Sequence, residues 1–324
     1  MNVLITGSAG FLGLQLARLL LQRGSLDLDG RAVAIDRLTL LDVVAPQGLD
    51  DARVRVVTGD LSDPAVLAEA IDAQTGAIFH LAAVVSGQAE ADFDLGMRVN
   101  LDASRALLET CRKQGHKPRV LFTSSVAVYG GELPPVVQDD TALNPQSSYG
   151  VQKAIGELLL SDYSRRGFVD GRVLRLPTIS VRPGKPNAAA SSFASGIIRE
   201  PLAGVAANCP VKPDTALWLL SPRAAVTALA HGIELDGARL GNRRVVNLPG
   251  LSVTAAGMVD ALRRVAGDAV ADRVTWEREE RIENIVGTWP AAWDTGRALA
   301  LGFQADSSFD AVIAAYMEDA GLGR

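Results

Sequence analysis

Tyr149 and Lys153 stand four residues apart in Tyr149-Gly150-Val151-Gln152-Lys153. That spacing puts both side chains on one face of a helix. A free tyrosine has a pKa of about 10 and is a poor base near neutrality. Neighbouring positive charge favours the phenolate. Lowering the pKa by about three units takes about 4 kcal/mol of differential stabilisation, which two charges in a dry cleft supply. Ser125, in Thr123-Ser124-Ser125-Val126-Ala127-Val128-Tyr129-Gly130, adds a hydroxyl for the same oxygen. Together the three groups are suited to moving a proton to or from a substrate hydroxyl. A Tyr and Lys four apart are by themselves common on helix surfaces, so their weight depends on what accompanies them.

What accompanies them is a glycine turn. Gly7-Ser8-Ala9-Gly10-Phe11-Leu12-Gly13 lies between an apolar run, Val3-Leu4-Ile5, and a segment in which Leu12, Leu16, Leu19 and Leu20 recur at helical spacing. Glycines there allow a tight turn, a close approach of backbone to a pyrophosphate, and packing of helix on sheet. The helix N-terminus then faces the phosphates. The strand–turn–helix context is what this motif needs to be read as a dinucleotide site. Asp36, 23 residues after Gly13, ends the run Arg31–Asp36 (RAVAID), read as the second strand. A carboxylate there hydrogen-bonds the adenosine ribose and repels a 2′-phosphate, favouring NAD over NADP. Arg37 beside it argues the other way, because a guanidinium accepts phosphate. Asp60 and Leu61 follow the third strand, where an adenine would lie; Asp60 equally suits a turn.

These residues need a frame to position them. Further strands are expected at 54–58, 77–82, 120–124 and 172–176, and helices from Asp63-Pro64, over 93–114 and over 148–166. Strands alternating with helices predict a doubly wound parallel sheet of the Rossmann type, and continuous apolar strands fit a sheet buried on both faces. After Pro177 the pattern weakens. Residues 1–176 with about 218–248 are expected to form the dinucleotide-binding domain, and about 177–217 with 249–324 a smaller, helix-rich substrate lobe. The 324 residues allow both.

Composition excludes other classes. Lys and Arg number 32 against 37 Asp and Glu, a formal net charge of −5, so charge does not hold this chain on nucleic acid. Two cysteines, Cys111 and Cys209, and three scattered histidines offer no disulfide framework or metal cluster and suit a reducing compartment. No export signal or run of about 20 apolar residues is visible, so a cytoplasmic protein without a membrane anchor is expected.

Taken together, the glycine turn, the acidic end of strand two, His80-Leu81-Ala82-Ala83, Asn100, the Ser124–Gly130 segment, the Tyr–Lys pair, Arg175-Leu176-Pro177 and Arg182-Pro183-Gly184 resemble the extended short-chain dehydrogenases/reductases, over the whole chain. The resemblance implies NAD as cofactor and Tyr149 as acid/base. It also implies that Lys153 holds the nicotinamide ribose and tunes Tyr149, and that Ser125 positions the substrate oxygen. By the same resemblance Leu81, Ala82 and Ala83 line the cofactor, Asn100 supports the site, and Pro177 and Thr178 flank the carboxamide. Within that branch, residues 80–90 and 191–204 are similar to D-erythronate dehydrogenases, which oxidise the C2 hydroxyl of a four-carbon sugar acid.

That resemblance implies a dehydrogenase releasing NADH from a small sugar acid. A nucleotide-sugar epimerase with tightly held NAD uses the same trio and is the alternative. A dehydratase would carry an acidic pair beside the active hydroxyl, whereas Val126 and Ala127 follow Ser125. A non-catalytic NAD-binding regulator is disfavoured by the intact Tyr and Lys. A sugar-acid carboxylate calls for a bidentate arginine, for which Arg182 and Arg223 are the candidates. Ser86 and Thr178 are candidates for substrate hydroxyls. A homodimer through helices 93–114 and 148–166 is the expected assembly.

Overall fold

The structure, a computed structural model, describes residues 1–185 and 189–322. Its frame is a seven-stranded parallel sheet of β1 (Asn2–Thr6), β2 (Arg37–Asp42), β3 (Val54–Thr58), β4 (Thr75–His80), β5 (Arg119–Ser125), β6 (Asp170–Leu176) and β7 (Val245–Asn247). Their order in space is β3-β2-β1-β4-β5-β6-β7. The order reverses beside β1, and ligands of such sheets bind at that crevice, outside the carboxyl ends of the strands. Val3, Leu4 and Ile5 are fully buried because helices cover both faces. On one face α1 (Phe11–Arg23) packs Leu16, Ala17 and Leu20 with Leu229 and Ile233 of the helix Pro222–Glu234. On the other, α2 (Pro64–Ala70), α3 (Ala103–Gln114) and α4 (Ser148–Arg165) contribute Leu67, Leu107, Cys111 and Leu160.

The second strand is not where the sequence reading puts it. Arg31–Ala34 pairs antiparallel with Ser25–Leu28 in a hairpin outside the main sheet. The turn is Asp29-Gly30, with φ of 56° and 74°, the left-handed pair that a two-residue hairpin requires. Arg37–Asp42, with Leu38, Leu40 and Leu41 buried, takes the place beside β1. The predicted helix over 93–114 is also interrupted: one α turn at Phe93–Gly96 leads into a π turn, Met97–Asp102, before α3.

Beyond Pro177 a second core gathers Phe193, Ile197 and Ile198 of the helix Phe193–Leu202 with Leu217, Leu219, Met258, Leu262, Val312 and Ile313. Strand Ala216–Leu220 joins Leu251–Thr254 and Thr178–Ile179 in a small sheet rather than the main one. Ala298, Leu301 and Phe303, expected in the substrate lobe, pack into the first core instead. No helix among the described residues is long and apolar enough to cross a membrane.

Candidate active site

A cavity of about 920 Å³ runs along the carboxyl edge of the sheet from β3 to β6. Gly7, Gly10, Phe11, Leu12 and Gly13 form its floor. A Cβ on Gly13 would stand 2.3 Å from the Gly7 carbonyl oxygen, so the turn closes only with glycine there. Gly10 caps α1 without a side-chain hydrogen bond, which leaves first-turn N–H groups for an anion. The Asp42 carboxylate, at the carboxyl end of β2, accepts a 2.9 Å hydrogen bond from the Ala9 N–H and lines the same cavity. Turn, helix end and carboxylate fit a dinucleotide.

Asp42 takes the place assigned to Asp36. Asp36 and Arg37 lie at the opposite, amino end of β2. Asp36 pairs with the Met1 ammonium at 2.5 Å, and Arg37 lies 3.6 Å from Asp72. Neither lines the cavity. The hairpin explains the error: it lengthens the path from Gly13, so the strand-end carboxylate comes 29 residues on rather than 23. The Asp-Gly dipeptide at 29–30 was the available signal. Asp60 and Leu61 do line the cavity, Asp60 held by the Ser62 N–H at 2.8 Å and its hydroxyl at 2.7 Å, bonds that lower its pKa.

Ser125, Tyr149 and Lys153 converge on the cavity wall below β5. The Ser147 hydroxyl caps α4 by accepting from the Gly150 N–H at 3.2 Å, which starts the helix one residue before Tyr149. A Cβ on Gly150 would stand 2.1 Å from the Ala127 carbonyl oxygen. Glycine is therefore what lets α4 approach the segment after β5 and bring the Tyr149 phenol into hydrogen bond with Ser125. Burial pushes the phenol up to about 12 against that bond. The fall expected from the sequence is not a property of these side chains alone. Lys153 is 1% exposed, its Nζ 4.6 Å from the Phe122 ring centre and 5.6 Å from that of Tyr149. Burial brings it down to about 7, while the Glu157 carboxylate one turn on pulls it up. Glu157 is clamped by Arg175 at 2.6 and 2.8 Å and by the Ser124 hydroxyl at 2.5 Å. His80, bonded to Thr6 and Ser104 at 2.8 Å each, is driven down to about 3 by burial and then by the Lys153 charge.

At the far end the cavity is lined by Ser86, Thr178, Arg182 and Ser191. The half-buried Arg182 has no carboxylate partner among the described residues. Burial and then the Arg199 charge lower its pKa. Leu81, Ala82, Ala83 and Pro177 also line the cavity. Asn100 does not. It is 1% exposed and grips the loop after β4, bonding Val84 N–H at 2.8 Å, Val84 carbonyl at 3.0 Å and Gln152 at 2.7 Å. Arg223 is likewise absent from the cavity: it is paired at the surface with Asp319 at 2.5 Å and Glu318 at 2.9 Å, so its charge is already answered.

Residues 3–214 match the NAD dependent epimerase/dehydratase family. The chain belongs to that family. NAD is thus its cofactor, and the family confirms the extended short-chain dehydrogenase/reductase reading of the sequence. The chain is 88% identical to the D-erythronate dehydrogenase of Cupriavidus necator over 324 residues, all of both chains. It is 50% identical to that of Haemophilus influenzae over 319 residues, 98% of this chain and 99% of the relative. A solved structure described as a nucleoside-diphosphate-sugar epimerase from Agrobacterium tumefaciens is 45% identical, with a TM-score of 0.92 over 100% of this chain and 95% of that one. An NAD-dependent dehydrogenase is the reading these likenesses support. Within the family frame, sequence reasoning missed Asp42, Arg98, Gln88, Ser191 and Trp289 on the cavity wall. Asp42 has a signal, as the acid ending the apolar run Leu38–Leu41, and Gln88 and Ser191 fall in the segments 80–90 and 191–204 that carry the resemblance.

Proposed function

We propose that this chain oxidises the C2 hydroxyl of a small sugar acid, D-erythronate, to the 2-oxo acid, with Tyr149 as base. The observation that carries the reading is Arg182: a half-buried guanidinium without a carboxylate partner among the described residues, in the cavity that holds Ser125, Tyr149 and Lys153. A desolvated cation of this kind calls for an anion from the ligand, and a carboxylate fits its fork. The 88% identity to a D-erythronate dehydrogenase supports the same substrate.

The Tyr149 phenolate takes the proton of the C2 hydroxyl as the carbonyl forms, and the Ser125 hydroxyl donates to that oxygen. Lys153 holds the nicotinamide ribose, and its charge stabilises the phenolate. Bound NAD supplies the acceptor for the hydride that leaves C2. Gly7, Gly10, Phe11, Leu12 and Gly13 hold the pyrophosphate, and Asp42 takes the adenosine ribose hydroxyls. Asp60, Leu61, Leu81, Ala82 and Ala83 line the cofactor, and Pro177 and Thr178 flank the carboxamide. Ser86 and Thr178 face the substrate hydroxyls.

The second reading is an epimerase, favoured by the description of the Agrobacterium structure. Incubating the protein with D-erythronate, related aldonates, and UDP- and GDP-sugars, each with NAD and NADP, separates the two. Growth of reduced-cofactor absorbance with D-erythronate and NAD is expected. Turnover of a nucleotide sugar without net NADH, with D-erythronate inert, would put the epimerase in its place.

We further propose two lobes, divided near Pro177, with the helix Pro222–Glu234, β7 and the segment 298–303 returning to the first. We place the protein in the cytoplasm, which suits its two free, buried cysteines. The homodimer would use the outer face of α4, where Val151 and Leu158 are exposed, and the neighbouring Phe93.

A further inference from the structure

Arg98 comes from the π turn between Phe93–Gly96 and α3. Such turns are rare inside helices and recur at functional sites. This one points Arg98 and Val99 into the cavity while the next residue, Asn100, stays buried on the Val84 backbone. The Arg98 guanidinium stands 4.0 Å from Asp60, the carboxylate following β3. Asp60 is itself fixed by Ser62, so Arg98 reaches toward an anchored partner across the β2–β3 end of the cavity. The walls there are apolar: Leu61, Leu95, Val99, and Val43 and Val44, which are 65% and 63% exposed.

Direction along the cavity follows from the fold. NAD held by this fold would set its pyrophosphate at the glycine turn beside β1 and reach Ser125 and Tyr149 on the β5 side with its nicotinamide. The adenosine half therefore extends toward β2 and β3. A flat purine entering that end meets exposed valines and a planar guanidinium, which stacks on aromatic faces as a lysine ammonium does not.

We propose that Arg98, tethered by Asp60, lies over the adenine ring of bound NAD and sets affinity for the adenosine half of the cofactor. It takes no part in the chemical step. The inference rests on NAD occupying this cavity, and the test separates the two. Titration calorimetry of NAD and ADP-ribose, with saturation-transfer NMR for nicotinamide mononucleotide, is applied to the wild type, Arg98→Ala and Arg98→Lys. Arg98→Ala is expected to weaken NAD and ADP-ribose about tenfold and to leave the mononucleotide unchanged. Arg98→Lys should fall between, because it keeps the charge and loses the plane. An exposed ion pair adds little to folding, so the melting temperature should barely move. Unchanged NAD and ADP-ribose affinity in Arg98→Ala overturns the proposal. So does an equal loss for the mononucleotide, which would trace the effect to the Asn100 loop. A wild type that binds none of the three sinks the NAD reading itself.

Discussion

On the sheet side of the cavity, groups are held by backbone contact and buried polar bonds. Gly13 and Gly150 leave no room for a methyl group, and Lys153 sits against Phe122 with Glu157, Arg175 and Ser124 locked behind it. Across the cavity, the wall from the second core consists of a few side chains, among them Arg182, Ser191 and Trp289, and Arg182 has no acidic partner among the described residues. On the function proposed, the first wall serves a proton transfer that any secondary alcohol can use. The second carries whatever distinguishes one alcohol from another. Breaking the first should therefore abolish turnover of every substrate, and breaking the second should discriminate among them.

The largest effect is expected at the base. Tyr149→Phe removes the proton acceptor and almost no packing, so kcat should fall by about 10²–10⁴-fold, with the Kd for NAD nearly intact. Stopped-flow turnover and calorimetric binding give the two numbers. Wild-type turnover in this variant would remove Tyr149 from the mechanism. Lys153→Met should weaken both quantities, since the lysine serves cofactor and phenol alike.

Across the cavity the loss should be selective. Arg182→Ala leaves a bound carboxylate without its partner, at a cost of about 3 kcal/mol, which is a fall of about a hundredfold in kcat/KM for the acid. NAD affinity should not change, and neither should turnover of a neutral diol accepted at high concentration. Arg223→Ala serves as control: its ion pairs with Asp319 and Glu318 lie at the surface, where such pairs are worth little. If both variants process D-erythronate normally, the carboxylate is held elsewhere.

The same division explains what could be read from the sequence. The sheet side rests on short-range patterns with fixed backbone consequences: a glycine turn after a strand, a Tyr and Lys one helical turn apart, a Ser ending a strand. Each has in the structure the local form the pattern predicts, because close packing permits few alternatives there. Asp36 failed because two apolar runs competed for one strand position. Within RAVAID only the four residues Arg31–Ala34 form strand and most are exposed, whereas RLTLLD is strand throughout with its centre buried, and only the Asp-Gly turn between Leu28 and Arg31 marks the first as hairpin. The lobe side was less legible. Arg223 and Arg182 both follow a junction, and only tertiary contacts reveal that acids from the chain's last helix answer one of them. Ser191 and Trp289 are 98 residues apart and come to one cavity solely through the fold.

A smaller effect tests the corrected strand. Asp42→Asn removes the charge that would repel a 2′-phosphate and should narrow the NAD-over-NADP preference in kcat/KM about tenfold. Asp36→Asn, at the opposite end of β2, should leave the preference as it is. The reverse result would restore the first placement of the strand.

The smallest effect is the most specific to the sheet side. The Ser125 hydrogen bond holds the Tyr149 pKa down against the burial that raises it. Ser125→Ala deletes that bond, so the phenol pKa rises further and the phenolate fraction at any lower pH falls. A net hydrogen bond of about 1 kcal/mol corresponds to somewhat less than one pKa unit. Turnover against pH should therefore keep its shape, with the rising limb moved to higher pH by up to about one unit. Rates below the limb should fall several-fold. The plateau should also drop, because the hydroxyl no longer meets the substrate oxygen, but that loss is the same at every pH. A uniform fall with no movement of the limb would mean that Ser125 touches the substrate without tuning the base. The opposite limb provides the internal control. Burial lowers the Lys153 pKa, and Glu157, which raises it, is untouched by the substitution. Any turnover lost on the alkaline side should begin at the same pH in both proteins, so the two limbs report separately on the two halves of one catalytic wall.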